Sequence, residues 1–328
     1  MDFNNEIKEM DLLEKACLKY NLDKYKTRKI TGGYQSLVYG YDNKYILRIT
    51  PSFIRSYKMI LSELDWCLYL FNKGISLSKP VSSPNNLLAE RINISNITYT
   101  ITLFEKAKGK KLTYDEYLGK TDIYFKLGKI TGLIHKYSKK YKPSRSKRHN
   151  YLDNYYIKNA KNFLPESQVK IYNTFYNVLD KIKSYQKDIS NFGLIHGDIN
   201  VGNFHYNNGS ITLFDFDEAQ YSFYIEDIAI QLFYTVYVFG DDCIDLRYKN
   251  ADEFMTFFLD GYTNESSLDK NIVEKTENFL ILREIILHIA IYKKWDLNNL
   301  NPWQKDYYLQ SKKRLENSKP LVDLDKVI

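Results

Sequence analysis

The feature that most restricts what this chain can become is the stretch FGLIHGDINVGNFHYNNGSITLFDFDEAQ at residues 192–220. It interrupts a C-terminal part that otherwise reads as one helix after another. Its short apolar runs, separated by Gly, Asn and Asp, specify a loop followed by a β-hairpin. Upstream, Ile123, Leu127, Ile130, Ile134 and Tyr137 step by four, three, four and three, which defines one buried helix face. Further helices are expected near 166–188, 225–239, 251–262, 270–294 and 304–316.

The N-terminal part reads differently. Residues 5–20 place Ile7, Met10, Leu12, Leu13 and Cys17 on one side of a leading amphipathic helix. TRKIT, SLVYGYD and KYILRIT then read as three short strands, separated by the turn signals Gly32-Gly33 and Asp42-Asn43, an antiparallel meander. A helix from Ile54 to Phe71 carries Tyr57, Ile60, Leu61, Leu64, Cys67, Leu68 and Phe71 at helical spacing, with Glu63 beside that stripe and Gly74 after its end. ITYTITLF supplies another strand, and EKAKGKKL reads as an exposed connector. A chain of 328 residues exceeds what one core usually supports, so about two domains are expected. The boundary falls at the connector: residues 1–105 form a small antiparallel sheet lobe with a helix, and 106–328 a larger, mostly helical lobe. The fold class is α+β.

Composition excludes several classes. With 44% hydrophobic and 27% charged residues and only 14 Gly and 7 Pro, the chain is globular rather than fibrous or disordered. Cys17, Cys67 and Cys243 form no CxxC pair, which argues against a zinc site and a disulfide framework, and Cys67 lies on a core face. His135, His149, His205 and His288 show no ligand spacing. The first twenty residues carry charges every few positions, so no signal peptide is expected, no segment reaches membrane-spanning length, and a reducing cytoplasm is the expected compartment. The net charge of +7 is unevenly spread. Seven basic and no acidic residues lie from Lys136 to Arg148, whereas thirteen acidic and two basic ones lie from Asp215 to Asp269. The basic run matches no nucleic-acid-binding motif and reads as a solvated or regulatory surface, so neither nucleic acid nor membrane is expected as a partner.

The chemistry concentrates in His196-Gly197-Asp198, in Asn203 five positions after that aspartate, and in Asp215-Phe216-Asp217 beyond the hairpin. Phosphoryl transfer needs an acceptor hydroxyl held in line and a metal ion that neutralises phosphate oxygens. Magnesium takes hard oxygens and usually only one or two carboxylates, a demand that the Asp215 carboxylate and the Asn203 amide oxygen fit, leaving Asp198 to take the hydroxyl proton.

These residues make the chain resemble, nearly end to end, the aminoglycoside phosphotransferase and choline kinase superfamily, relatives of the protein kinases. The resemblance rests on H-G-D-x4-N followed by D-F-D, three spaced elements that must coincide. It implies a two-lobed kinase-like fold with nucleotide between the lobes. Asp198 would be the catalytic base and Asn203 and Asp215 the ligands of Mg2+, with Asp217 supporting the metal site. Asp227, in IEDIA, would be a structural aspartate bonding back to the catalytic loop, and His196 would be structural too. The phosphate donor would be ATP or GTP, contacted by the Gly32-Gly33 loop, Ser36, Arg48 and the connector at Glu105 and Ala107, with Glu63 pairing to the strand cation. Two positions depart from the family pattern: Arg48 replaces the strand lysine, and Ser36 stands where Asn is frequent. Arginine keeps the charge but changes reach and geometry.

Three readings of the acceptor stay open. A small hydroxyl compound is favoured, because the segment between Asp217 and IEDIA is too short for the peptide platform of a protein kinase. A protein Ser/Thr side chain and a non-catalytic nucleotide-binding role are the alternatives. The acidic stretch after Asp215 reads either as a lining for an amine-bearing acceptor or as an ordinary solvated loop and helix start around Asp241, Asp242 and Asp245. The sequence is silent on oligomeric state.

Overall fold

The computed structural model describes residues 3–30, 36–144, 146–268 and 271–327. The chain divides into two compact units that exchange segments: 1–109, 141–148 and 212–217 in the first, and 110–140, 149–211 and 218–328 in the second.

The first unit opens with α1 (Phe3–Leu18), followed by β1 (Thr27–Lys29), β2 (Leu37–Tyr41), β3 (Tyr45–Pro51), α2 (Tyr57–Asn72), β4 (Pro80–Val81), β5 (Glu90–Ile94) and β6 (Ile97–Glu105). The strands form an antiparallel sheet in the order β1-β2-β3-β6-β4, with β5 also on β6. Strand alternation sorts the side chains. Leu47 and Ile49 of β3 are buried with Leu12, Ala16, Cys17 and Tyr20, so Arg48 between them points away from that cluster. Met10 departs from expectation: it is 65% exposed. Helical positions two residues apart in sequence lie about 200° apart on the wheel, so Met10 cannot share a face with the buried Leu12.

Helix α2 starts three residues later than its apolar run suggests, because Ser56 caps it by accepting from the Met59 N–H at 3.3 Å. It ends in a Schellman turn, with Ile75 N–H on the Leu70 carbonyl (3.1 Å) and Gly74 N–H on that of Phe71 (2.9 Å). Gly74 takes the left-handed conformation this turn demands, at φ +86°.

The second unit contains α3 (Tyr114–Tyr117), α4 (Thr121–Ser138), α5 (Tyr155–Lys158), α6 (Ala160–Phe163), α7 (Val169–Ser184), β7 (Phe192–Ile195), the hairpin strand β8 (Phe204–Asn207) with the start of β9 (Ser210–Leu213), β10 (Gln220–Phe223), α8 (Tyr224–Val236), α9 (Ile244–Thr263), α10 (Ile272–Lys294) and α11 (Pro302–Glu316). Strands β7 and β10 pair antiparallel, Ile195 opposite Gln220. No helix among the described residues is long and apolar enough to cross a membrane.

Helices α4 and α9 cross so closely that glycines are obligatory. A Cβ built on Gly128 would lie 1.9 Å from the Phe258 carbonyl oxygen, and one on Gly261 would lie 2.0 Å from that of Phe125. The obstacles are backbone atoms, which cannot swing aside. Gly128→Ala is therefore expected to destabilise the protein by about 1–3 kcal/mol or more through forced separation of the helices, despite alanine's better helix propensity. Chemical denaturation checks this; unchanged stability would contradict the crossing.

Candidate active site

The loop after β7 carries His196, Gly197 and Asp198, and a buried carboxylate holds it. Asp227, the fourth residue of α8 and wholly inaccessible, accepts from the His196 N–H at 3.0 Å and the Gly197 N–H at 2.8 Å. It also bonds the His135 Nε2 at 3.1 Å. A carboxylate can only accept, so Nε2 carries the proton and Nδ1 accepts from Tyr262 Oη at 2.8 Å. Burial keeps His135 neutral by pushing its pKa below the ordinary value. Burial alone would raise Asp227, but His135, His196 and the Gly197 N–H outweigh it and hold the carboxyl below the usual range. Gly197 stands at φ +79°, and a Cβ there would meet the Glu218 carbonyl oxygen at 2.6 Å, so the turn admits no side chain.

Beyond this turn, Asp198 has both carboxylate oxygens engaged. Asn203 Nδ2 donates to Oδ2 at 2.9 Å and to the Asp198 carbonyl at 2.8 Å. Arg283 Nη2, from α10, donates to Oδ1 at 2.5 Å. Burial pushes the Asp198 carboxyl up to about 6 against the pull of Arg283, yet 24% of the side chain stays exposed.

In the first unit, Arg48 Nη2 bonds Glu63 Oε2 at 2.8 Å, and the Glu63 side chain is 1% exposed. The Arg48 guanidinium carbon also lies 5.0 Å from the Phe104 ring centre. The D-F-D segment is anchored by Leu213, whose N–H donates to the Ser76 carbonyl (3.0 Å) while its carbonyl accepts from Ser78 N–H (2.8 Å). Phe216 packs edge-on against Trp66 of α2, with ring centres 5.5 Å apart. Asp215 is exposed, at φ +64°, a conformation that costs a non-glycine residue about 1–3 kcal/mol and concentrates at functional sites. Both Asp217 oxygens accept from Arg55 Nε at 3.2 Å. Burial opposes the Asp217 charge, but Arg55, Arg48 and Arg148 hold its pKa below the ordinary value.

The structure thus brings Arg48 together with Glu63, and Asp198 with Asn203. Ser36 Oγ bonds Thr50 Oγ1 at 2.8 Å; Glu105 ends β6, its N–H on the Lys79 carbonyl at 2.8 Å; and Ala107 is buried just beyond. Gly32 and Gly33 lie outside the described residues. Sequence reasoning missed Arg283, Arg55 and His135. A signal existed for the first, since Arg283 and Glu284 interrupt the apolar run FLILREIILHIA. One surface reading needs correction. Arg148 of the basic run is buried, donating to the Met59 carbonyl at 2.9 Å and to the Asp217 carbonyl. Asp241, in the acidic stretch, pairs with Arg247 and Arg314 at 3.0 and 3.2 Å.

The model of the phosphotransferase enzyme family matches residues 26–262. An amicoumacin kinase of Bacillus subtilis (strain 168) is 30% identical over 335 residues, covering 99% of this chain and 98% of that protein. A solved amicoumacin kinase in complex with AMP-PNP, Ca2+ and Ami superposes with a TM-score of 0.87 at 29% identity over 96% of each chain. A microcompartment-associated aminopropanol kinase gives a TM-score of 0.74 at 17% identity, over 94% of this chain and 97% of that one, a likeness of fold. The fold is the two-lobed kinase-like α+β fold that the motifs imply.

Removing one partner of a buried ion pair strands the other, at about 3–5 kcal/mol, whereas replacing both by apolar groups is often neutral. Glu63→Ala is expected to lose that much stability, and Arg48→Met combined with Glu63→Leu to recover most of it. Urea denaturation of the single and double variants checks the pair; additive losses would show that the two side chains are uncoupled.

Proposed function

The chain belongs to the phosphotransferase enzyme family, and from that premise we propose that it moves the γ-phosphate of ATP or GTP onto a hydroxyl of a small molecule with the aid of Mg2+. Amicoumacin is the first acceptor to test, because two proteins that match end to end at 30% and 29% identity are amicoumacin kinases. The observation that carries the reading is Asp198: a partly exposed carboxylate on a loop clamped by Asp227, with Asn203 on its Oδ2.

In this reading Asp198 accepts the acceptor's hydroxyl proton as that oxygen bonds to the γ-phosphorus and the bond to the leaving diphosphate breaks. Arg48, oriented by Glu63, neutralises nucleotide phosphates. The glycines Gly32 and Gly33 with Ser36 cover those phosphates, and Glu105 and Ala107 line the nucleotide. Asn203 and Asp215 hold the metal, and Asp217, whose oxygens face Arg55, supports that segment. The donor set fits magnesium, since both are hard oxygens and Asp215 is exposed. Among the described residues no three His, Cys, Asp or Glu side chains form a self-sufficient cage, and magnesium needs none when phosphates and waters complete its shell. Once bound, the ion supplies charge neutralisation of phosphate oxygens. A small acceptor is favoured over a protein because the segment between D-F-D and α8 is short and Gln220–Phe223 of it is committed to β10 and its pairing with β7.

Asp198→Asn is expected to abolish transfer while nucleotide affinity stays within about threefold, since its role concerns the acceptor. Turnover of ATP with amicoumacin, alongside calorimetric nucleotide binding, measures both; an active variant would remove Asp198 from the chemistry. The acid limb of the pH profile offers a second check. Asp198 must be ionised to take a proton, so kcat/KM should hold above the carboxyl's pKa of about 6 and fall about tenfold per pH unit below it. A bound cation favours the ionised form and shifts that limb to lower pH, so a limb above neutrality would contradict the assignment.

A further inference from the structure

We propose that Arg283 is a positioning residue for phosphoryl transfer: with Asn203 it grips opposite oxygens of Asp198 and fixes the carboxylate in the orientation that receives the acceptor's proton. This rests on reading Asp198 as the base. A carboxylate turns about a terminal torsion that is broad and only two-fold, so nothing intrinsic to aspartate aims it. Here Arg283 Nη2 holds Oδ1 at 2.5 Å and Asn203 Nδ2 holds Oδ2 at 2.9 Å. Two donors on two oxygens stop that rotation.

Arg283 is itself aimed. The same Nη2 donates to Tyr234 Oη at 2.5 Å, and the guanidinium carbon lies 4.9 Å from the centre of the Tyr234 ring. A planar fork can bond and stack at once, which a lysine ammonium cannot reproduce. Glu218 and Lys294 are the other charged groups within electrostatic reach of Asp198.

A structural role explains the residue poorly. Arg283 projects from an α10 segment of buried Leu280, Ile281, Leu282 and Ile285, and its Nε is buried without a hydrogen bond. An arginine that is incompletely satisfied in apolar surroundings is a weak stabiliser compared with an apolar residue of similar volume. The neighbouring residue on the same helix shows what a structural arginine looks like: the inaccessible Glu284 is gripped by Arg314 of α11 through Nε and Nη2 at 3.1 and 2.6 Å. Arg283 instead directs its Nη2 to Asp198 and to Tyr234.

The test uses the full chain with Arg283→Ala, Arg283→Lys, Tyr234→Phe and Asp198→Asn. Readouts are ATP turnover with amicoumacin, ATP turnover to water without acceptor, calorimetric nucleotide Kd and thermal midpoint. Misaiming the base is expected to cost Arg283→Ala about a hundredfold in kcat with nucleotide Kd within about twofold, and millimolar guanidinium should restore part of the rate. Arg283→Lys and Tyr234→Phe should show smaller kcat losses at unchanged nucleotide Kd. The proposal is overturned if Arg283→Ala keeps its kcat, or if its loss tracks nucleotide affinity and resists guanidinium. Should the alanine variant not fold, wild-type kcat in both Arg283→Lys and Tyr234→Phe overturns it equally. Turnover surviving in Asp198→Asn would instead sink the reading of Asp198, a separate result.

Discussion

One buried carboxylate organises the helical unit. Asp227 has no accessible surface, so its charge survives only by accepting from the His196 and Gly197 N–H groups and from His135. An uncompensated charge there would cost several kcal/mol, so these groups form together or not at all. The dependence extends outward. His135 keeps its tautomer because Tyr262 Oη occupies Nδ1, and Tyr262 reaches it because α4 and α9 cross at glycines, Gly132 lying against the Tyr262 backbone. Small residues on a helix crossing thereby help set the conformation of a loop far away in sequence.

The sheet unit solves a different electrostatic problem. Arg48, Arg55 and Arg148 converge with Glu63 and Asp217, and each cation is assigned by geometry. Strand alternation turns Arg48 toward α2, Arg55 takes both oxygens of Asp217, and Arg148 ties the Asp217 carbonyl to that of Met59. Arginine in place of lysine at position 48 is no idle exchange, because its planar group bonds Glu63 while lying over Phe104. Asp215, two residues before Asp217, is left exposed in a conformation that aspartate tolerates better than most residues.

The division of labour within α10 follows from the same constraints. Arg283 and Glu284 sit side by side in sequence and face different partners, Asp198 with Tyr234 for one and Arg314 for the other. Adjacent helical positions point about 100° apart, so neighbouring charges in an apolar helix serve separate interfaces.

Local chemistry is what the sequence determined by itself. The spacing from His196 through Asn203 to Asp217, the strand alternation around Arg48, the periodicity of α4 and the apolar stripe of α2 all follow from rules acting over a few residues, and each element formed close to where its pattern lies. The pairing of Glu63 with Arg48 was legible too, through family resemblance. Tertiary structure alone decided which distant side chains meet. Arg283 lies 85 residues from Asp198, Arg55 lies 162 from Asp217, and the surface reading of Arg148 failed because its partners Met59 and Asp217 come from remote segments. Periodicity reports the face a residue occupies but carries no information about the element packed against it; that depends on helix crossings and chain exchange between units, which only the folded chain supplies.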